Sequence, residues 1–448
     1  MTNNVQIFSS LSRTQKEAVG LLSIGTFLEF FDLMLYVHLA VLLNELFFPK
    51  TDPYTAALLT AFAFCSTFML RPLGALIFGW IGDNIGRKPT VIITTTMMAI
   101  SCVIMANLPT YAQIGVTAAW GITICRIFQG LSSMGEIICA EIYLTELIKP
   151  PIRYPMVCLM QGAASVGGMA ALAIATTTFV FKIDWRVAFW IGAIVALVGT
   201  VARTVLRETP DFADAKRRIK KKYEKSNIDQ KALKDDIIFN EKVRVKTSLA
   251  YFLIQCGFPL CFYFKYIYCG EILKKTFNYS AQQVIQHNLM VSLTGILAVI
   301  VLMFLSYKIH PIRIFKVILA VFSFFILFVP FLLSNISSPF QLFLIQAFLS
   351  FFAINGIPAN AIFFVHFPIF KRFTYVSFLF ASARSLMHIV VSFGLVYFID
   401  KFGNNGLLVI FIPITAGSIF GTLHFEKLEK AAGNYHLNLY PNPLTSPS

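Results

Sequence analysis

Long apolar stretches separated by short polar ones run through the chain, with neither the two-residue alternation of half-buried strands nor the one-sided stripe of surface helices. A helix needs roughly 20 mostly apolar residues to cross a bilayer. Such stretches lie near 18–47, 54–81, 89–108, 113–146, 155–181 and 186–206, and again near 248–272, 284–306, 313–333, 339–366, 374–399 and 405–424. The expected fold class is therefore an all-α membrane protein of about twelve transmembrane helices. Residues 207–247 interrupt the pattern with a charged run that includes Lys216-Arg-Arg-Ile-Lys-Lys-Lys222. The organisation this predicts is an N-terminal segment over 1–17, a six-helix bundle over 18–206, a basic linker over 207–247 and a second six-helix bundle over 248–424. A tail over 425–448 follows, disordered after Gly433.

Composition agrees with the pattern: 57% of the 448 residues are hydrophobic and only 13% are charged, with a mean hydropathy of +0.72. The formal net charge of +15 brings nucleic acid to mind, but its distribution decides otherwise. With both termini inside, about 27 of the 37 Lys and Arg fall in inside segments and about 6 outside, which is the positive-inside asymmetry of membrane proteins. The basic excess reports topology and anionic lipid; no nucleic acid partner is expected. The first apolar stretch is too long for a signal peptide and contains Glu29 and Asp32, so no cleavage is expected. The eight cysteines lie in expected spans without metal-ligand spacing, so small apolar packing is their expected role and no metal or other cofactor is implied.

Lipid makes ionisable residues informative, because each costs about 2.5 to 3.5 kcal/mol at mid-helix on insertion scales. Those inside the spans are Glu29, Asp32, Arg71, Arg126, Glu136, Glu141, Lys265 and Arg384. Facing hydrocarbon together they would cost on the order of 20 kcal/mol, so they must face protein or water. Glu29, Asp32 and Tyr36 share one helix face, and two neighbouring carboxylates suit uptake and release of a proton. They serve equally well as structural partners of Arg71 and Arg126. On the fourth stretch, Arg126, Glu136 and Glu141 follow one another; Glu136 is the favoured essential carboxylate, and Arg126 suits either a solute carboxylate or a buried ion pair. In the second half, Lys265 stands mid-span, and Arg384 and His388 share a face at i and i+4. A cationic second half facing an acidic first half suits a zwitterion, or an anion carried with a proton. Two six-helix halves with a site between them at mid-membrane form a known transporter plan. No Ser/His/Asp arrangement, metal motif or phosphate loop supports an enzyme.

The stretch Gly82-Asp-Asn-Ile-Gly86-Arg-Lys88 resembles the loop between helices two and three of the major facilitator superfamily. Further motifs are Glu29-Phe-Phe-Asp32 with Tyr36, Phe48-Pro49, Asp52-Pro53, Arg71-Pro72-Leu-Gly74, Gln129-Gly130 with Gly135-Glu136, Asp184-Trp185-Arg186 and Arg207-Glu-Thr-Pro-Asp-Phe212. Together they resemble the metabolite:proton symporter family, well over about 20–212 and more faintly to 424. The resemblance implies a major facilitator fold of two pseudo-symmetric bundles in a bacterial inner membrane. It implies proton-coupled symport, by alternating access, of a small organic solute such as proline, glycine betaine or a carboxylate. Gly82, Asp83, Gly86, Arg87 and Lys88 are then gating residues; Glu29, Asp32, Glu136 and Glu141 are proton-coupling candidates; Tyr36, Arg126, Lys265, Arg384 and His388 are substrate-binding candidates. The expected partners are a small polar solute, protons and membrane lipid, with the chain acting as a monomer. The corresponding second-half stretch, Ser306-Tyr-Lys-Ile-His-Pro-Ile-Arg313, lacks the acid and the glycines. A facilitator or exchanger of an anionic metabolite is the alternative, and a non-transporting sensor on the same scaffold a second.

Overall fold

The structure is a computed structural model that describes residues 11–48, 68–181, 184–204 and 241–435, with isolated positions between 206 and 217. The motifs at Phe48-Pro49, Asp52-Pro53 and Arg207–Phe212 lie wholly or partly outside the described residues, as do most of the linker and the end of the tail. The side chains of Tyr36 and Glu136 are also outside them.

Among the described residues every regular element is helical. Before the linker these are, apart from the single turn Tyr111–Ile114, α1 (Arg13–Phe47), α2 (Arg71–Asn84), α3 (Arg87–Asn107), α4 (Val116–Leu147), α5 (Arg153–Phe181) and α6 (Arg186–Arg203). After it come α7 (Val245–Gln255), α8 (Gly257–Phe262), a π-helical segment (Tyr263–Tyr268) and α9 (Cys269–Phe277), which together make one long rod. Then follow α10 (Ala281–Lys308), α11 (Pro311–Ser334), α12 (Pro339–Phe352), α13 (Asn360–Val365), α14 (Arg372–Phe402) and α15 (Gly406–Ala431). The last helix runs beyond the expected limit at 424. Each apolar stretch read from sequence is mainly helix where it is described, the stretch near 339–366 breaking between Phe352 and Asn360 around a short 3-10 turn, Ile357–Ala359, and eight helical stretches among the described residues are long and apolar enough to cross a membrane. Helix α4 carries Arg126, Glu136, Glu141 and Glu146 along its length.

Local sequence explains where the helices begin. Ser280 opens α10 with a capping box, its hydroxyl accepting from the Gln283 amide while Gln283 reaches back to the Ser280 amide. Ser338 accepts from the Gln341 amide at the start of α12, where Pro339 occupies a first-turn position that needs no N–H donor. Large apolar side chains such as Trp80, Leu197, Phe324, Phe331 and Phe393 are exposed on the outside. In a chain whose backbone polar groups are satisfied within helices, an apolar exterior is what hydrocarbon requires.

The helices before and after the linker meet along two seams, α2 against α14 and α5 against α10. One buried core cluster runs through both groups. The seven described cysteines are buried and form no disulfide.

Candidate functional site

Three constellations hold the polar residues. The first lies among α1–α4, where Arg71 Nη2 reaches Glu29 Oε1 at 3.4 Å and Arg126 Nη1 lies 3.7 Å from Asp32 Oδ2. Gln129 links the second pair, accepting from Arg126 at 2.8 Å and donating to Asp32 Oδ1 at 2.8 Å. The Cys102 thiol, 3.4 Å away, donates to the same oxygen. All four charged side chains are buried. The space they enclose, about 10 Å³, holds at most a water-sized molecule. Glu29, Asp32 and Arg126 thus form a closed ion-pair lattice and do not line a solute-sized space.

The second constellation is a cavity of about 330 Å³ between the helices before the linker and those after it. Its walls are largely apolar and include aromatic rings from both groups of helices, Phe30 and Phe68 from one and Phe258 and Phe262 from the other. The polar lining is Gln161, Ser165, Lys265, Tyr266, Asn288 and Ser292. Lys265 is the only charged residue among the lining, and no carboxylate oxygen lies within 4.0 Å of its ammonium among the described residues. Its Nζ instead donates to Ser350 Oγ at 3.4 Å and sits 4.6 Å from the centre of the Tyr266 ring.

Arg384 and His388 stand behind the aromatic wall. The Arg384 guanidinium lies between the Phe258 and Phe380 rings, 3.9 and 4.0 Å from their centres. The His388 ring is 4.2 Å from that of Phe68, which Arg71 faces from 4.7 Å. Of the substrate-binding residues read from sequence, Lys265 alone lines the cavity among those whose side chains are described. Glu141 is an acid that faces this region: Asn360 Nδ2 donates to its Oε2 at 3.1 Å, and Arg384 and Tyr251 act on it from farther away. It is buried, with no cation within 4.0 Å among the described residues.

The third constellation closes the linker-side end. Asp83 accepts from Arg87 at 3.1 Å and, across the seam, from the backbone amides of Phe373 (3.1 Å) and Thr374 (2.8 Å). A carboxylate thereby caps the first turn of α14, where unpaired amides and the helix dipole favour negative charge. Arg87 also donates to Glu146 at 3.1 Å and to the Ile369 carbonyl at 2.8 Å. Arg372 reaches the same Glu146 oxygen at 3.0 Å, and Thr209 donates to its other oxygen at 2.7 Å. A side chain at Gly82 would run into the Phe373 ring, so glycine lets α2 approach α14. Gly86, at φ 150°, turns the chain between α2 and α3 in a conformation that side chains disfavour. Lys88 donates to the Thr204 carbonyl at the end of α6 and so braces one side of the seam.

Glu146 and Arg372 escaped the sequence reading, and Thr209 entered it only as part of the motif Arg207–Phe212, without a role. Glu146 sits at a helix end beside a basic loop, where a charge looks solvated, and its partners lie far along the chain. The second-half stretch that lacks an acid borrows one: His310 Nε2 is 3.7 Å and His366 Nε2 2.7 Å from Glu429, which the final helix supplies.

The chain matches the sequence profile of the Major Facilitator Superfamily over residues 22–368 and belongs to that family. An inner membrane metabolite transport protein of Escherichia coli strain K12 is 34% identical over 226 residues, 48% of this chain and 51% of that protein. The proline/betaine transporter of Salmonella typhimurium is 31% identical over 205 residues, 44% of this chain and 41% of that one. The chain thus spans about half the length of the curated relatives it matches. The solved structure of the proton:xylose symporter XylE bound to 6-bromo-6-deoxy-D-glucose superposes with a TM-score of 0.73 at 16% identity, covering 92% of this chain and 95% of that one. The shared fold is that of the superfamily, and the chain is a multi-pass helical membrane protein.

Proposed function

We propose that the protein is a secondary transporter, not an enzyme, that carries a small carboxylate-bearing or zwitterionic organic solute through the cavity between two six-helix bundles. The observation that carries this reading is Lys265, a cation inside a cavity of about 330 Å³ with no acidic partner within 4.0 Å among the described residues. An unpaired ammonium in a largely apolar space attracts a solute anion strongly, because little water screens it. The aromatic walls suit an apolar or quaternary-ammonium body on the same solute. A relative's name, proline/betaine transporter, points to the same chemistry.

In this reading twelve helices cross a bacterial inner membrane with both termini in the cytoplasm, and the Asp83–Arg87–Glu146 latch closes the cytoplasmic side. The domain limits read from sequence stand as part of it, and the chain works as a monomer. Transport is coupled to protons, and Glu141 is the carboxylate that takes the proton. It alone among the described acids of the first bundle's interior has no cation within 4.0 Å and bonds across to the second bundle through Asn360. Glu29 and Asp32 hold their arginines and position the first bundle; Glu136 remains a second proton-coupling candidate. Proton and solute loading together would compensate charge and ease the rocking step.

The test is uptake into proteoliposomes of L-proline, glycine betaine, 2-oxoglutarate and D-xylose, each with and without an imposed pH gradient. Concentrative uptake of a carboxylate that a protonophore abolishes is the expected result. Uptake of xylose alone would overturn the carboxylate reading. Carboxylate uptake indifferent to the protonophore would leave facilitation in place of symport.

A further inference from the structure

Lys265 sits within a π-helical segment, Tyr263–Tyr268. Such segments interrupt the regular i to i+4 ladder and gather at functional sites. Here the Lys265 carbonyl accepts from a side chain of another helix, the buried Gln346 of α12, whose Nε2 lies 2.6 Å from that oxygen. The other end of the same amide faces His287 Nε2 of α10, also at 2.6 Å. This fixes the amide's orientation: reversed, it would press two oxygens together at 2.6 Å. Because Gln346 donates to the carbonyl, its own oxygen must accept, so His287 Nε2 carries a proton.

One turn farther along the same face of α12, Ser350 Oγ donates to the Gln346 carbonyl at 3.1 Å and receives the Lys265 ammonium at 3.4 Å. Thr294 Oγ1 lies 3.0 Å from that hydroxyl. Residues four apart on a helix present their side chains to one neighbour. Helix α12 therefore grips Lys265 twice, at the backbone through Gln346 and at the ammonium through Ser350.

We propose that Gln346, held by His287, and Ser350 are positioning residues that set Lys265 as the anion anchor of the cavity. This rests on the reading of Lys265 as the solute's carboxylate partner. The clamp spends neutral hydrogen bonds on the lysine and no carboxylate, so the ammonium is held in place while its charge stays available to a ligand. An acid in the place of Ser350 would orient Lys265 as well and would neutralise it.

Gln346→Met keeps volume and loses both hydrogen bonds, and two measurements on the full chain in lipid nanodiscs or proteoliposomes decide its effect. Hydrogen exchange needs no substrate: amides 263–270 should exchange at least about tenfold faster in the variant, as loss of a hydrogen bond to a buried group implies, while α14 keeps wild-type rates. The uptake assay uses whichever of L-proline, glycine betaine or 2-oxoglutarate the wild type concentrates. There KM should rise about tenfold with the maximal rate held within about twofold, the mark of weakened binding and not of a damaged transport cycle. Ser350→Ala should raise KM in the same way and leave exchange at 263–270 unchanged. Unaltered exchange in Gln346→Met would show that no clamp exists. Faster exchange with an unaltered KM would show a structural staple without a part in binding. Lys265→Ala with unaltered carboxylate uptake would instead sink the parent reading, whatever Gln346→Met does.

Discussion

Two pairs of interior cations, Arg71 and Arg126 before the linker and Lys265 and Arg384 after it, are handled in opposite ways. Among α1–α4 each arginine faces a carboxylate, Arg71 against Glu29 and Arg126 against Asp32. In the later helices Arg384 rests between two phenylalanine rings and Lys265 lies over Tyr266, with no carboxylate within 4.0 Å among the described residues. An ion pair spends its attraction internally. A cation on an aromatic face gains only about 0.5 to 2 kcal/mol from the ring and keeps most of its field for something else. The first group of helices is built as a self-neutralised frame, and the second leaves charge for a ligand.

Breaking the frame should produce the largest effect. Arg126→Leu strands Asp32 without its cation in a space of about 10 Å³, and removing one partner of a buried pair costs about 3 to 5 kcal/mol. The expected result is loss of the folded protein from detergent extracts, read as a fallen thermal midpoint in tryptophan fluorescence. The double variant Arg126→Leu, Asp32→Leu should recover much of that loss, because an apolar pair of similar size is tolerated. A single variant as stable as wild type would mean that the frame is not self-neutralised.

Glu141 is the exception inside the frame, an acid whose hydrogen bond goes across to Asn360. Glu141→Gln retains an oxygen for that bond and removes the charge. Accumulation driven by a pH gradient should fall at least about 100-fold, roughly 2.7 kcal/mol, while downhill exchange of the same solute continues. Full accumulation by the variant would move the proton site elsewhere, with Glu136 next in line.

The sequence made the frame legible and much of the cavity not, for a physical reason. Charge in lipid is so costly that Glu29, Asp32, Arg71 and Arg126 announce themselves, and only their pairing remained to be found. Helix positions are legible on the same ground, since crossing a bilayer demands a long apolar run. Gln161, Asn288, Ser292 and Gln346 carry no such penalty and vanish among apolar neighbours. The aromatic screen in front of Arg384 is hidden by abundance: with 46 phenylalanines in the chain, composition cannot mark out Phe258 or Phe380. The latch was half visible. Asp83 and Arg87 lie in a recognisable loop, whereas Glu146 and Arg372 read as ordinary basic-loop surroundings until the fold brought them together.

The latch is the place where the two groups of helices share charge, and its variant should have a smaller effect than those above. Asp83→Asn keeps one acceptor oxygen for the α14 amides and loses both the second oxygen and the charge facing Arg87. A hydrogen bond to a charged group contributes about 1.5 to 3 kcal/mol, enough to shift a two-state opening by about tenfold or more. Maleimide should then label Cys139, buried with its thiol 3.6 Å from the Arg87 carbonyl, about tenfold faster from the linker side. Unaltered labelling would mean that Asp83 is not what holds the seam.

The smallest effect is expected where an ion pair exists and matters least. Arg13 and Glu17 approach to 2.9 Å, yet their side chains are 94% and 50% exposed. Water and salt screen such a pair, and holding two long side chains together costs entropy that offsets the attraction. Arg13→Ala should therefore leave both the thermal midpoint and the uptake rate within error of wild type. Its separation is shorter than that of either frame pair, so distance alone would rank it above Arg71–Glu29 and Arg126–Asp32. If Arg13→Ala proved as damaging as Arg126→Leu, burial would not be what gives the interior pairs their weight, and the contrast between a neutralised frame and an available cation would lose its physical basis.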